Sequence, residues 1–292
     1  MKPIIGILGA GTMGTGIAEL AAAHGHPVRQ YDIKGVGRRE DLADCDFIFE
    51  AIVEDLEAKK KALSGLPGIL ATNTSSLSVT AIADGCERVI GAHFFNPPAK
   101  MRLVEIIPGE KTSVETVQRT RALVESWGKT TVLAKDTPGF IVNRVARPFY
   151  GEALLILEEG IADIATIDWA MREFGGFRLG PFQLMDFIGN DVNLKVTEAI
   201  GTYRASETQK RLIEADKLGR KTGCGFYDYG KDMPEPKKDL ALGKAIFTRI
   251  MSRIIHEARD LVSRGVATAE DVDLAMKLGA NYPKGPFEYD RG

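Results

Sequence analysis

The first 32 residues constrain the fold more than any other stretch. The run Ile4-Ile5-Gly6-Ile7-Leu8 is apolar and β-rich, then turns at once on Gly9, Gly11 and Gly14. A strand that ends on this spacing and opens directly into a helix, here Thr12 to Ala23, is the start of a parallel βαβ unit. Each glycine has its own task. Gly9 permits the tight turn, Gly11 leaves room for a pyrophosphate to touch backbone, and Gly14 lets the helix press on the sheet. The N–H groups at Thr12 and Met13, with the positive end of the helix dipole, then point at that phosphate. A second strand, Val28-Arg29-Gln30-Tyr31, ends at Asp32, whose carboxylate can accept from both ribose hydroxyls and repels a 2′-phosphate. Strand, glycines, helix, strand and acid in this register predict a dinucleotide site that favours NAD over NADP. A glycine-rich loop that only packs does not account for an acid at the end of the next apolar strand.

A chain of 292 residues exceeds one ordinary core and suits two domains. Its net charge of −2, with no extended basic stripe, argues against a nucleic-acid partner. The three cysteines, Cys45, Cys86 and Cys224, are odd in number and lack metal or redox spacing, so reduced thiols in a cytoplasmic protein are expected and no metal. Lys2, the apolar stretch after it and Ala21-Ala22-Ala23 imitate a signal peptide, but Glu19 and the glycine pattern inside the stretch oppose that reading. No apolar segment is long enough to span a bilayer, so no membrane partner is expected.

Strands and helices alternate through about the first 135 residues, as a parallel sheet with crossover helices requires. Strands are expected at Phe47–Ile52, Ile69–Thr72, Val89–Phe95, Leu103–Ile107 and Thr130–Leu133, with helices at Glu57–Leu63, near Val79–Ala83, and at Thr112–Trp127. The turn cluster Asp136-Thr137-Pro138-Gly139 marks a boundary, after which the pattern is almost wholly helical. A repeat is visible there at an offset of 105 positions, the separation of Glu152 from Glu257. Asp168-Trp169-Ala170-Met171 answers Asp273-Leu274-Ala275-Met276, and Gly180-Pro181-Phe182 answers Gly285-Pro286-Phe287. The expected organisation is an α/β doubly wound domain of the Rossmann type over 1–136, an all-α C-terminal domain over 137–230, and a partial second copy of it over 239–292. Gly230 to Lys238 forms the linker between copies.

Four histidines are present. His24 and His26 flank Gly25 in a turn and are expected to be solvent-exposed; His256 lies on a helix of the second copy and is expected to face water or a neighbouring helix. His93 differs because it interrupts the apolar strand Val89–Phe95, and Glu105 likewise interrupts the next strand. Two ionisable groups inside adjacent apolar strands are costly unless they satisfy each other. A carboxylate bonded to one imidazole nitrogen fixes the tautomer and raises basicity at the other, which is the geometry of a general base. Asn73-Thr74-Ser75-Ser76-Leu77 follows a strand end, where ligands bind in doubly wound sheets. Ser76 or Ser78 can cap the following helix while Ser75 faces substrate. Asn143 starts the first helix after the boundary, where the second domain is expected to meet the cleft.

The segments Gly9–Gly14, Asn73–Leu77, Gly91-Ala92-His93-Phe94-Phe95-Asn96-Pro97, Leu103-Val104-Glu105, Thr137–Arg144 and Lys221-Thr222-Gly223-Cys224-Gly225-Phe226-Tyr227 together resemble the L-3-hydroxyacyl-CoA dehydrogenase family over most of residues 1–290. The resemblance implies an NAD-dependent oxidoreductase of fatty acid metabolism acting on (3S)-3-hydroxyacyl-CoA, such as 3-hydroxybutyryl-CoA. It implies that His93 is the general base and Glu105 its partner, and that Ser75 and Asn143 bond the reacting oxygen. It places Glu54 and Lys59 near the nicotinamide ribose, Asp32 on the adenosine ribose, and Asn73 with Gly9, Gly11, Thr12, Met13 and Gly14 in the coenzyme site.

Two departures stand out. The family carries a long helical insertion after the acid of the second strand, which contacts the nucleotide part of CoA; here only Ile33 to Asp46 occupies that place, with a basic set Lys34, Arg38 and Arg39. That set reads as a solvated loop, with phosphate binding as the alternative. The second copy is the other departure. Single-copy relatives dimerise through the helical domain, so a monomer with an internal pseudo-dimer is expected, or else a homodimer. Two rival functions remain open: a dehydrogenase of a small CoA-free hydroxy or sugar acid, as in the lambda-crystallin-like branch, and a non-catalytic NAD-binding protein.

Overall fold

The computed structural model describes residues Met1–Arg291 and groups them in two compact units. The first comprises Met1–Ile141 with Gly265–Gly279; the second comprises Val142–Arg264 with Ala280 onward.

The first unit is an α/β sandwich. In chain order it runs β1 (Ile5–Leu8), α1 (Thr12–Ala23), β2 (Val28–Tyr31), β3 (Phe47–Glu50), α2 (Leu56–Leu63), β4 (Ile69–Thr72), α3 (Val79–Ala83), β5 (Val89–Phe94), β6 (Leu103–Pro108), α4 (Val114–Ser126) and β7 (Thr130–Leu133). The sheet has seven strands in the order β2-β1-β3-β4-β5-β6-β7. Successive side chains of a strand point to opposite faces, and the sequence fills both faces with apolar groups. Ile5, Ile7, Phe47, Phe49, Ile69 and Ala71 pack with Ile17 and Leu20 of α1 and Leu123, Val124 and Trp127 of α4. Leu8, Ile48 and Leu70 pack on the other face with Leu63 of α2, Ile82 of α3, and Leu42 from a short 3₁₀ turn, Arg39–Leu42.

The sheet is not wholly parallel, as the alternation had suggested. β6 follows β5 without a crossover helix and pairs with it antiparallel, whereas β7 is parallel to β6. The short connection Phe95–Arg102 is too brief for a crossover, which needs a dozen or more residues. One histidine also departs from expectation. His26 is 9 % exposed: Nδ1 bonds the Pro3 carbonyl oxygen at 3.0 Å and the ring meets Trp127 edge-on. His24 is partly buried, Nδ1 bonding the Leu20 carbonyl oxygen at 2.9 Å, and His256 is exposed.

The second unit is helical: α5 (Val142–Val145), α6 (Arg147–Glu158), α7 (Ile164–Gly175), α8 (Pro181–Ile188), α9 (Asn190–Ile200), α10 (Glu207–Glu214) and α11 (Leu240–Ser263). After α12 (Ala269–Gly279), which belongs to the first unit, α13 (Pro286–Asp290) completes it. The repeat survives at the level of helix boundaries. Ser263 stands 105 positions after Glu158, Ala269 after Ile164 and Pro286 after Pro181, so α11, α12 and α13 end or begin where α6, α7 and α8 do. α11 packs along α6 and α7. Two ion pairs cross that packing reciprocally. Arg144 bonds Glu257, and Arg249, its counterpart in the second copy, bonds Glu152 at 2.9 Å, Glu152 being the counterpart of Glu257. A contact in which i meets j while j meets i is the signature of a two-fold axis, here internal to one chain.

The grouping differs from the expected 1–136, 137–230 and 239–292. Residues 137–141 stay with the sheet because the Ile141 N–H donates to Glu105 Oε1 at 3.0 Å. The stretch 239–292 does not stand alone: α12 lies on β6 and β7, Val272, Ala275 and Met276 being buried, and the Lys135 N–H donates to the Val266 carbonyl at 2.9 Å. Among the described residues no helix is long and apolar enough to cross a membrane.

Candidate active site

The site builds up from the carboxyl ends of β1, β3, β4 and β5. Gly9 leaves β1 at φ +102°, and a Cβ there would lie 2.5 Å from the Ala51 carbonyl oxygen, so no side chain fits. At Gly14 a Cβ would meet the Gly9 carbonyl oxygen at 2.2 Å, which is how closely α1 approaches the turn. At Gly11 a Cβ would meet nothing within 4 Å, and no side chain caps the start of α1. The helix therefore opens onto free space with its first N–H groups uncapped, the arrangement that receives a phosphate. Asp32 Oδ2 accepts the Ala10 N–H at 2.7 Å and Oδ1 accepts the Lys34 N–H at 2.8 Å. These two backbone donors hold its carboxyl below the usual range, with burial opposing and Lys34 assisting. The residues present fit the adenosine and pyrophosphate of NAD.

At the end of β5, His93 Nδ1 lies 2.6 Å from Glu105 Oε2. The two residues are direct cross-strand partners in the β5–β6 ladder, 6 % and 0 % exposed. The antiparallel course of β6 makes this possible, since it brings the early part of β6 to the late part of β5. Glu105 holds its second oxygen on the Ile141 N–H, and the imidazole is packed by Phe95 and Phe140, ring centroids 4.5 and 5.8 Å away. Nδ1 makes the one hydrogen bond of this side chain among the described residues, leaving Nε2 for a reacting hydroxyl.

The loop after β4 sits beside this pair. Asn73, expected in the coenzyme site, accepts the Phe94 N–H on Oδ1 at 2.9 Å and so ties the end of β4 to the residue following His93. The Ser75 hydroxyl has no hydrogen-bond partner among the described residues, whereas the Ser75 N–H donates to Glu54 Oε1 at 2.9 Å. Ser78, not Ser76, caps α3 by accepting from the Ala81 N–H. Burial pushes the Glu54 carboxyl up, but the Thr74 hydroxyl, the Lys59 charge, and the donors of Ser75 and Ser76 outweigh it and hold it below its usual range. Lys59, expected beside the nicotinamide ribose, is 1 % exposed, its ammonium 2.8 Å from Glu50 Oε1 and 3.3 Å from Glu54 Oε2. Asn143, the remaining expected contact, opens α5 in the helical unit and is partly exposed.

Sequence reasoning passed over Glu50. Its place at the end of an apolar run, nine positions before a lysine, was the available signal. The basic set resolves more plainly. Arg39 bonds the Ala62 and Ser64 carbonyl oxygens at the end of α2, Arg38 pairs with Asp41 at 3.0 Å, and Lys34 is exposed. Arg39 thus satisfies carbonyl oxygens at the C-terminal end of α2, beyond what a plain solvated loop requires. Among the described residues no cluster of three or more His, Cys, Asp or Glu could hold a metal ion.

Comparison with known proteins agrees with this geometry. The model of the 3-hydroxyacyl-CoA dehydrogenase NAD binding domain matches residues 4–37 and 32–137, and that of the 3-hydroxyacyl-CoA dehydrogenase C-terminal domain matches 139–229 and again 246–290. The first match breaks where the connection after β2 is short, and the second repeats where the internal copy lies. A 3-hydroxyadipyl-CoA dehydrogenase of Escherichia coli K12 is 33 % identical over 425 residues, covering 98 % of this chain and 90 % of that protein. A 3-hydroxybutyryl-CoA dehydrogenase of Clostridioides difficile is 37 % identical over 279 residues, covering 78 % of this chain and 99 % of that protein. The crystal structure of 3-hydroxybutyryl-CoA dehydrogenase from Escherichia coli K12 matches with a TM-score of 0.90 at 32 % identity, over 100 % of this chain and 92 % of that one. With its coenzyme turn, its paired histidine and glutamate, and both family domains in order, the chain belongs to the 3-hydroxyacyl-CoA dehydrogenase family, NAD-dependent oxidoreductases acting on CH–OH.

Proposed function

We propose that this protein oxidises (3S)-3-hydroxyacyl-CoA thioesters to 3-oxoacyl-CoA, with His93 as the general base. The observation that carries the proposal is the buried 2.6 Å contact between His93 Nδ1 and Glu105. Glu105 fixes the tautomer in which Nε2 is the acceptor and stabilises the imidazolium formed when that nitrogen takes the C3 hydroxyl proton. The Ser75 hydroxyl and the Asn143 side-chain amide hold the C3 oxygen as its charge changes. Gly9, Gly11, Thr12, Met13 and Gly14 receive the pyrophosphate of NAD, Asp32 the adenosine ribose, and Glu54, with Asn73 and Lys59 behind it, the nicotinamide end. Bound NAD supplies the hydride acceptor; the protein aligns the C–H bond and places charge.

A CoA-free hydroxy acid is the second reading, favoured by the short connection after β2, where Arg39 is already engaged by the end of α2. NADH formation followed by absorbance, with 3-hydroxybutyryl-CoA beside free 3-hydroxybutyrate, decides between them. Faster turnover of the thioester is expected; a preference for the free acid overturns the CoA reading.

We also infer that the chain is a monomer in solution. The reciprocal Arg144–Glu257 and Arg249–Glu152 pairs support this, because they fill within one chain the two-fold packing that two subunits would otherwise share. Light scattering at the monomer mass is the expected result, and a stable dimer mass overturns it.

A further inference from the structure

Glu50 is fully buried at the last position of β3, and both oxygens of its carboxylate are hydrogen-bonded. Oε1 accepts from the Ile52 N–H and from Lys59 Nζ, both at 2.8 Å; Oε2 accepts from the Thr72 hydroxyl at 2.7 Å. Two routes lead from it to the loop that carries Ser75. Along the first, Lys59 reaches Glu54 Oε2 at 3.3 Å, and Glu54 Oε1 accepts the Thr74 hydroxyl at 2.6 Å, the Ser75 N–H at 2.9 Å, the Ser76 N–H at 3.1 Å and the Ser76 hydroxyl at 3.0 Å. Along the second, the Thr72 hydroxyl that donates to Glu50 accepts the Thr74 N–H at 3.3 Å. Hydrophobic packing alone does not ask for a buried ion pair here, since an apolar pair of equal volume is often as stable. What the ion pair adds is direction: one anchored carboxylate orients a lysine, the lysine orients Glu54, and Glu54 gathers the backbone of the loop.

We propose that Glu50 is a positioning residue for catalysis, fixing the Ser75 hydroxyl through Lys59–Glu54 and through Thr72. The inference rests on the role given to Ser75 above. It treats Lys59 as a buried link in the support of the site, in keeping with its enclosure.

A double-mutant cycle on kcat with 3-hydroxybutyryl-CoA tests it. Glu50→Gln is expected to lower kcat about 10- to 100-fold, the range a misplaced reacting contact produces. In a Ser75→Ala background the same substitution is expected to change kcat less than twofold, since the group it positions is gone. Multiplying effects overturn the proposal while leaving the dehydrogenase reading intact; a Ser75→Ala enzyme with unchanged kcat overturns the role given to Ser75 and the proposal with it, again leaving the dehydrogenase reading intact. Stability is separated from positioning by Glu50→Gln combined with Lys59→Met, which removes both buried charges. That variant is expected to regain the thermal midpoint lost in Glu50→Gln while its kcat stays low, because Glu54 is no longer held. Recovery of kcat together with stability reduces Glu50 to a structural counter-ion. Should Glu50→Gln not fold alone, the combined variant carries the Ser75→Ala cycle with the same expected outcomes.

Discussion

Both units bury carboxylates, and they use them in opposite ways. In the helical unit Asp186 accepts the Phe226 and Tyr227 N–H groups and the Asn190 amide, each at 2.9 Å, and the Tyr229 hydroxyl at 3.2 Å. Asp168 accepts the Phe182 and Gln183 N–H groups at 2.8 and 3.0 Å and the Tyr227 hydroxyl at 2.8 Å. These acids terminate on backbone and phenol: they pin the tail Lys221–Tyr227 to α8 and cap the start of α8. Gly225 belongs to the same device, since a Cβ there would lie 2.0 Å from Asp186 Oδ1. In the sheet unit Glu105 accepts one backbone N–H, from Ile141, but its other oxygen bonds an imidazole whose second nitrogen has no partner among the described residues. An acid that ends on backbone and phenol knits a fold, whereas an acid that passes its influence to a half-satisfied base can do chemistry.

The sharpest way to break this contrast is at the imidazole. His93→Gln keeps a hydrogen-bonding group near Glu105 but removes the base, and kcat is expected to fall by roughly 10³-fold, within the span of general-base contributions. Glu105→Gln is expected to lose about 10- to 100-fold, with NADH affinity by fluorescence titration nearly unchanged; unaltered turnover in this variant removes the dyad. The helical acids should show the reverse pattern. Asp186→Asn points an amide N–H₂ at donors and is expected to cost ~3 kcal/mol, a midpoint lower by about 10 °C, while the enzyme still folded at low temperature keeps its turnover. Wild-type stability with lowered turnover would blur the distinction.

The smallest effect is one of pH. Burial pushes Asp168 up from its ordinary 3.8 to about 7, against the Phe182 N–H, the Tyr227 hydroxyl and the Gln183 N–H, with Asp186 adding to the rise. The folded chain then keeps a proton that the unfolded chain has released, so this stabilisation is full in acid and disappears as pH rises through about 7. Between pH 6 and 8 the wild type is expected to lose ~1 kcal/mol more than Asp168→Asn, read from urea midpoints. Parallel pH profiles for the two proteins would show that Asp168 is ionised throughout.

Much of the catalytic end could be read from residue order because it depends on local patterns. The strands Ile69–Thr72 and Thr130–Leu133 and the helix Val79–Ala83 fall where periodicity puts them. His93 and Glu105 announce each other by interrupting neighbouring apolar runs. Glu50 stayed hidden because it ends a strand, and the burial of Lys59 against it could not be read because Lys59 stands beside Lys60 and Lys61, where a solvated face is the ordinary expectation. His26 was misjudged for a related reason: flanking Gly25 marks a turn but does not say that Trp127, a hundred residues later, covers it. The placement of α12 on β6 and β7 is a long-range packing outcome that no periodicity within 239–292 encodes.

The paired arginines carry a consequence for heredity. Separate identical subunits must repeat every substitution on both sides of their axis, so a damaging change strikes twice. Fused halves can vary singly, and these have done so. Arg144 also engages Asp260, whose counterpart in the first copy is Leu155; Arg249 also engages Glu159, whose counterpart in the second is Arg264. Each half holds its own auxiliary anion, a difference between the two sides of the axis that two identical subunits could not show.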